Sequence, residues 1–139
     1  MLKKTIKYVD YDGNEREEDF YFYMNQAELV KMNVSKAGGL ENYLRKLITD
    51  LNGKEIMNTI EEIILMSYGE KSPDGKRFVK GKELSEAFKQ TEAYSILFME
   101  LISDENAAWA FIKGMLPSDL AKKVEEAEKD GSIKPPVKS

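Results

Sequence analysis

The chain has 139 residues, 42% hydrophobic and 33% charged, with a formal net charge of −4. That length suits one domain with a real core. Cysteine and histidine are both absent, which removes disulfides, thiolate nucleophiles, the usual zinc sites and the commonest proton carrier near neutral pH, so a binding or assembly role is expected over catalysis.

The first segment reads as strand, turn, strand. In "TIKYVDY" Ile6 and Tyr8 alternate with Lys7 and Val9, and in "DFYFYM" Phe20, Phe22 and Met24 alternate with Tyr21 and Tyr23. Period-two runs of β-branched and aromatic residues predict strands. Asp12-Gly13-Asn14 between them suits a tight turn, so a β-hairpin is predicted over about 4–24.

Helical spacing then takes over, through about 26–129. Asn25 and Glu28 form a capping-box pattern for a short helix carrying Leu29 and Val30 that fades near Val34. "KAGG" breaks the chain. Leu40, Tyr43, Leu44, Leu47, Ile48 and Leu51 mark an amphipathic helix ended by Asn52-Gly53. Ile56, Met57, Ile60, Ile63, Ile64 and Tyr68 mark the next, with Gly69 expected to close it. "EKSPDGKRFVKG" reads as a loop around a Ser72-Pro73-Asp74-Gly75 turn, pinned by Phe78 and Val79.

A short helix with Leu84, Ala87 and Phe88 inward follows. Thr91 is expected to cap a helix with the stripe Tyr94, Leu97, Phe98, Leu101 and Ile102. Ser103 is expected to cap one carrying Ala107, Ala108, Phe111 and Ile112. Ser118 is expected to cap a last, charged helix with Leu120, Ala121, Val124 and Ala127 on a thin stripe. The end, 131–139, has two prolines and nothing to pack, so it is expected to be disordered. The fold class is α+β, mainly α: an N-terminal β-hairpin followed by about six helices in one compact domain spanning 1–130.

Function classes narrow further. Lys and Arg mix with Glu and Asp along most helices, without a basic stripe for a phosphate backbone, so nucleic acid is not expected as a partner. No apolar run approaches the ~20 residues of a membrane span. "MLKKTIKYVDYDG" lacks the apolar segment of a signal peptide, so the chain is expected to stay in the cytoplasm where it is made.

Asp10, Asp12 and Asn14 are spaced like the opening of a calcium loop. Such a loop needs glycine at its sixth position and a bidentate glutamate at its twelfth, where this chain has Glu15 and Tyr21. An acidic hairpin tip is the better reading. "GEKSPDGK" lacks the order of a phosphate-cradling loop. Glu61 and Glu62 diverge by about 100° on a helix and cannot form a working dyad. Ser72, Ser85 and Ser95 have no histidine to activate them. No metal or cofactor is expected.

Aromatic and methionine side chains remain. Tyr21 and Tyr23 lie on the hairpin face opposite Phe20 and Phe22, and Trp109 lies beside the stripe of its helix. Half-exposed Tyr and Trp are favoured interface anchors, whereas each is ordinary core if another element covers it. Methionine adds adaptable apolar surface. Candidate partner-binding residues are therefore Tyr21, Tyr23, Trp109 and Met115.

Three blocks, "KYVDYDGNEREEDFYF", "YGEKSPDGKRFVKGKELSEAF" and "QTEAYSILFMELISDENAAWAFIKGMLP", resemble the tail assembly chaperones of long-tailed phages and prophages of Gram-positive bacteria, from about Lys4 to Leu120. The resemblance implies a small, mainly helical protein of the host cytoplasm, not retained in the mature virion. It would bind the long apolar tape measure protein, keep it soluble, and help recruit tail tube subunits. Such proteins are made in two lengths by a programmed frameshift, and this chain fits the short form. Self-association is a further option. The alternatives are a structural virion protein of the tail tube or connector, a small regulatory protein-binding module, and a carboxylate-based enzyme.

Overall fold

The computed structural model describes residues 1–32 and 38–135. In chain order the elements are β1 (Leu2–Val9), β2 (Glu15–Phe22), α1 (Gln26–Lys31), α2 (Gly39–Leu51), α3 (Ile56–Ser67), β3 (Tyr68–Lys71), β4 (Phe78–Val79), α4 (Lys82–Lys89), α5 (Glu92–Ser103), α6 (Glu105–Gly114) and α7 (Ser118–Asp130). This is the expected mainly helical α+β fold with its N-terminal hairpin. Seven helices stand among the described residues, against about six expected.

The strands form one antiparallel sheet in the order β1-β2-β3-β4. Directly paired residues share a face, so the register decides what is buried. Leu2↔Phe22 and Ile6↔Glu18 set the inner face, and Lys7↔Glu17 and Lys3↔Tyr21 the outer one. Inner residues Ile6 and Phe22 are buried. Phe22 meets Phe111 of α6 at 4.9 Å, and Tyr68 stacks on Phe88 of α4 at 4.3 Å. Burying one such ring contributes about 1.5–3 kcal/mol, so this cluster ties the sheet to the helices. Two main-chain bonds reinforce it: Tyr23 N donates to Ser67 O, and Met24 N to Met115 O, both at 2.8 Å.

The α1 and α5 starts follow the sequence reading. Asn25 accepts from Glu28 N while Glu28 reaches back to Asn25 N, and Thr91 accepts from Tyr94 N. Two other caps differ. Asp104, not Ser103, caps α6, because its carboxylate accepts from Asn106 N and Ala107 N. Pro117 occupies the cap of α7 without a side-chain bond, leaving Ser118 as the first helical residue.

The segment read as a loop is β3, a turn and β4. Gly69 does not close α3. The helix ends at Ser67, Tyr68 turns extended (φ −65°, ψ 139°), and Gly69 pairs with Tyr21 inside the sheet. The Ser72–Gly75 turn forms as expected, with Gly75 N donating to Ser72 O at 2.8 Å. Ala87 faces solvent rather than inward.

The tail expectation also needs correction. Gly131 caps α7 in the left-handed conformation (φ 83°), and Ile133, only 1% exposed, packs into the core with its N–H donating to Ala127 O. An apolar side chain returned to the core by a glycine turn is a common helix ending. The expected fading of α1 near Val34 and the last four tail residues fall outside the described residues.

Candidate functional site: the open faces of the sheet and of α5

The Asp10–Asn14 motif is a turn. Asp10 Oδ1 accepts from Asp12 N at 3.0 Å and Asn14 N at 2.9 Å, and Arg16 Nε donates to Oδ2 at 2.6 Å. Gly13 takes the positive φ (84°) at the bend. Both carboxylate oxygens are thus engaged within the hairpin. The Arg16 guanidinium, then the Asn14 amide, holds the Asp10 pKa down at about 2. Among the described residues no group of three or more Asp or Glu side chains is arranged to hold a metal ion.

Tyr21 and Tyr23 fall on one patch of the outer sheet face. Tyr21 lies opposite Gly69, and Lys71 Nζ sits 4.2 Å above its ring. Tyr23 meets Phe78 edge-on at 6.4 Å, and Phe78 in turn lies across Gly69. All three rings are half-buried. Phe78 can lie this close to the strand because Gly69 has no side chain to lift it away. Towards the hairpin tip the same face turns polar, with Thr5 donating to Asp19 at 2.6 Å and Lys7 paired with Glu17 at 3.4 Å.

Trp109 and Met115 do not join this patch. Trp109 is 3% exposed and Met115 0%. Trp109 is covered because α6 is packed on more than its one apolar stripe, and one turn on from it Lys113 pairs with Glu128 of α7 at 3.2 Å. Met115 is buried where the chain leaves α6, at the main-chain bond from Met24. In this fold neither side chain presents a surface to a partner.

A second open apolar area is on α5. This helix packs against β1, α3, α4 and α6, and it buries Ala93, Tyr94, Leu97 and Leu101. Yet Ile96 and Met99, three residues apart and so on one face, are 43% and 53% exposed. A helix apolar nearly all round is normally covered all round. Stripe-based reading missed both residues because it kept Tyr94, Leu97 and Leu101 and passed over apolar residues outside the stripe. The usable signal was the shortage of charge in "YSILFMELIS".

These features offer surface for another protein chain: a half-buried aromatic patch on an open sheet face, and an uncovered apolar face on a central helix. Among the described residues no helix is long and apolar enough to cross a membrane. The family model for phage tail assembly chaperones matches residues 1–138, and the chain belongs to that family. No curated protein matches the chain, and no solved structure does.

Proposed function

We propose that this chain binds the tape measure protein of a long-tailed phage or prophage of a Gram-positive bacterium and keeps it soluble in the host cytoplasm. It helps recruit tail tube subunits, through a longer frameshifted form, and is absent from the mature virion. The role requires no catalysis and no cofactor. Within tail assembly, the observation that carries this reading is the uncovered face of α5 at Ile96 and Met99. Exposed apolar area of this kind marks interaction sites, and a groove-and-helix contact would cover it with an apolar helical face of the partner. Tyr21 and Tyr23, on the outer face of the sheet, offer a separate pair of rigid aromatic anchors.

The test is where the chain is found. Antibody capture from cells during tail assembly is expected to bring down the tape measure protein, while mass spectrometry of purified particles finds none of this chain. Stoichiometric chain in purified particles would instead make it a structural virion protein.

A further inference from the structure

We infer that the β3–β4 hairpin and the start of α4 form a second recognition site, specific for an acidic peptide segment that carries an apolar side chain. The segment from Lys71 to Lys82 holds five basic residues, Lys71, Lys76, Arg77, Lys80 and Lys82, against the single acid Asp74, in a chain whose net charge is −4. A search for a basic stripe along helices passes over it, because the cluster is carried by a hairpin.

The charge on this hairpin is left open. Asp74 is turned into its own turn, accepting from Ser72 Oγ at 2.6 Å and Lys76 N at 3.0 Å. Lys80 is taken by Glu28 at 2.7 Å. Lys71, Lys76, Arg77 and Lys82 are exposed and have no carboxylate in ion-pair range among the described residues. Of the cations elsewhere on the sheet, Lys4 is matched by Glu100, Lys7 by Glu17 and Arg16 by Asp10, and Lys3 alone has no carboxylate in ion-pair range among the described residues. Three such cations on one short hairpin and a fourth, Lys82, at the start of α4 outnumber the neighbouring carboxylates of Glu70 and Glu83, and the net positive local field attracts an anionic partner and sets its register.

The cations also surround a shape. An open groove of about 510 Å³ has Lys71, Arg77 and Lys82 along it and Pro73, Val79 and Leu84 for apolar lining. The hairpin that builds it is held rigid. Ser72 is buried, its N–H donates to Arg77 O at 2.8 Å, and its Oγ accepts from Arg77 N at 3.0 Å. A pre-formed site loses less freedom on binding. Glu70 and Glu83 also line the groove and would repel a continuous phosphate backbone, whereas a peptide can place its carboxylates around them. The acidic hairpin of a second copy fits less well, because its Asp10, Glu17 and Asp19 are already engaged by Arg16, Lys7 and Thr5, which leaves Asp12 and Glu15 at the tip and no apolar side chain between them.

The test uses the full chain alone, so its outcome is separate from that of the tape measure reading. The probe is a fluorescein-labelled twelve-residue peptide of alternating Glu and Gly with one central Leu, read by anisotropy in low salt. Saturable binding is expected, at least tenfold weaker for the lysine-for-glutamate peptide, and weakened severalfold when Leu is replaced by Gly. The R77E/K82E variant is expected to lose at least tenfold, with unchanged circular dichroism and melting. The K122E/K123E variant, which changes exposed lysines of α7, is expected to bind like wild type. Equal loss in both variants, absence of binding, or tighter binding of a twelve-nucleotide single strand would overturn the proposal. So would an R77E-sensitive dimer that forms without peptide, which would assign the groove to a second copy.

Discussion

The ring of Phe78 lies across the backbone of Gly69, so close that a Cβ at position 69 would stand 2.7 Å from ring Cε2 and 2.9 Å from the carbonyl oxygen of Val79. This contact seats β4 on β3 and brings Phe78 beside Tyr23. Gly69→Ala is therefore expected to destabilise the fold by about 1–3 kcal/mol, the usual cost of overpacking. Urea unfolding measures it. In a Phe78→Ala background the same change should cost clearly less, since the nearest atoms are gone. Equal costs in the two backgrounds would show that the ring does not set the requirement for glycine.

Asp10 is expected to titrate with a midpoint of about 2, because the Arg16 guanidinium and the Asn14 amide both favour its charged form. A depressed carboxylate stabilises the hairpin tip above its unfolded pKa of about 3.9. That contribution is lost as pH falls through the folded value of about 2. Carbon-detected NMR titration reads the midpoint directly. Arg16→Gln should move it upward, and a wild-type midpoint near 3.9 would contradict the turn geometry.

Trp109→Ala is expected to cost about 3–5 kcal/mol, as for other buried aromatic truncations, because the indole is enclosed. Chemical denaturation followed by circular dichroism checks this. As the chain has one tryptophan, its native emission should also be blue-shifted and poorly quenched by acrylamide. Red-shifted, readily quenched emission with an unchanged unfolding midpoint would return Trp109 to the list of surface anchors.

Ile133→Ala is expected to cost about 2–4 kcal/mol, within the range for buried Ile-to-Ala changes. Ending the chain after Asp130 should cost at least as much, since it also removes the Gly131 turn. Thermal unfolding of both variants measures this. Melting like wild type in both would mean that nothing past α7 is packed.

Strands and helices with a clear period were legible from sequence, down to the caps at Asn25 and Thr91. The misreadings have local causes. Tyr68 continues the apolar spacing of α3 and is also buried as the first residue of β3, so side-chain pattern alone carries the helix one residue too far and makes Gly69 look like its cap. Phe78–Val79 is too short to show a period of two. Of the four proposed anchors, Tyr21 and Tyr23 reach one patch because strand alternation is local information. Trp109 and Met115 are buried instead, because their enclosure depends on tertiary packing that the spacing of residues along one helix does not show. Ile133 follows a charged helix and a glycine, and only its contacts reveal that it belongs to the core.

The most direct measurement is co-expression of the tape measure protein from the same genome with no partner, with this chain, and with its Ile96→Asp/Met99→Asp variant. The variant changes exposed positions and should melt like wild type. Soluble tape measure protein is expected to rise severalfold and co-elute with the wild-type chain, and to fall back to the no-partner level with the variant. Equal precipitation with and without the wild-type chain would contradict the chaperone reading, and full solubility with the variant would remove the α5 face from it.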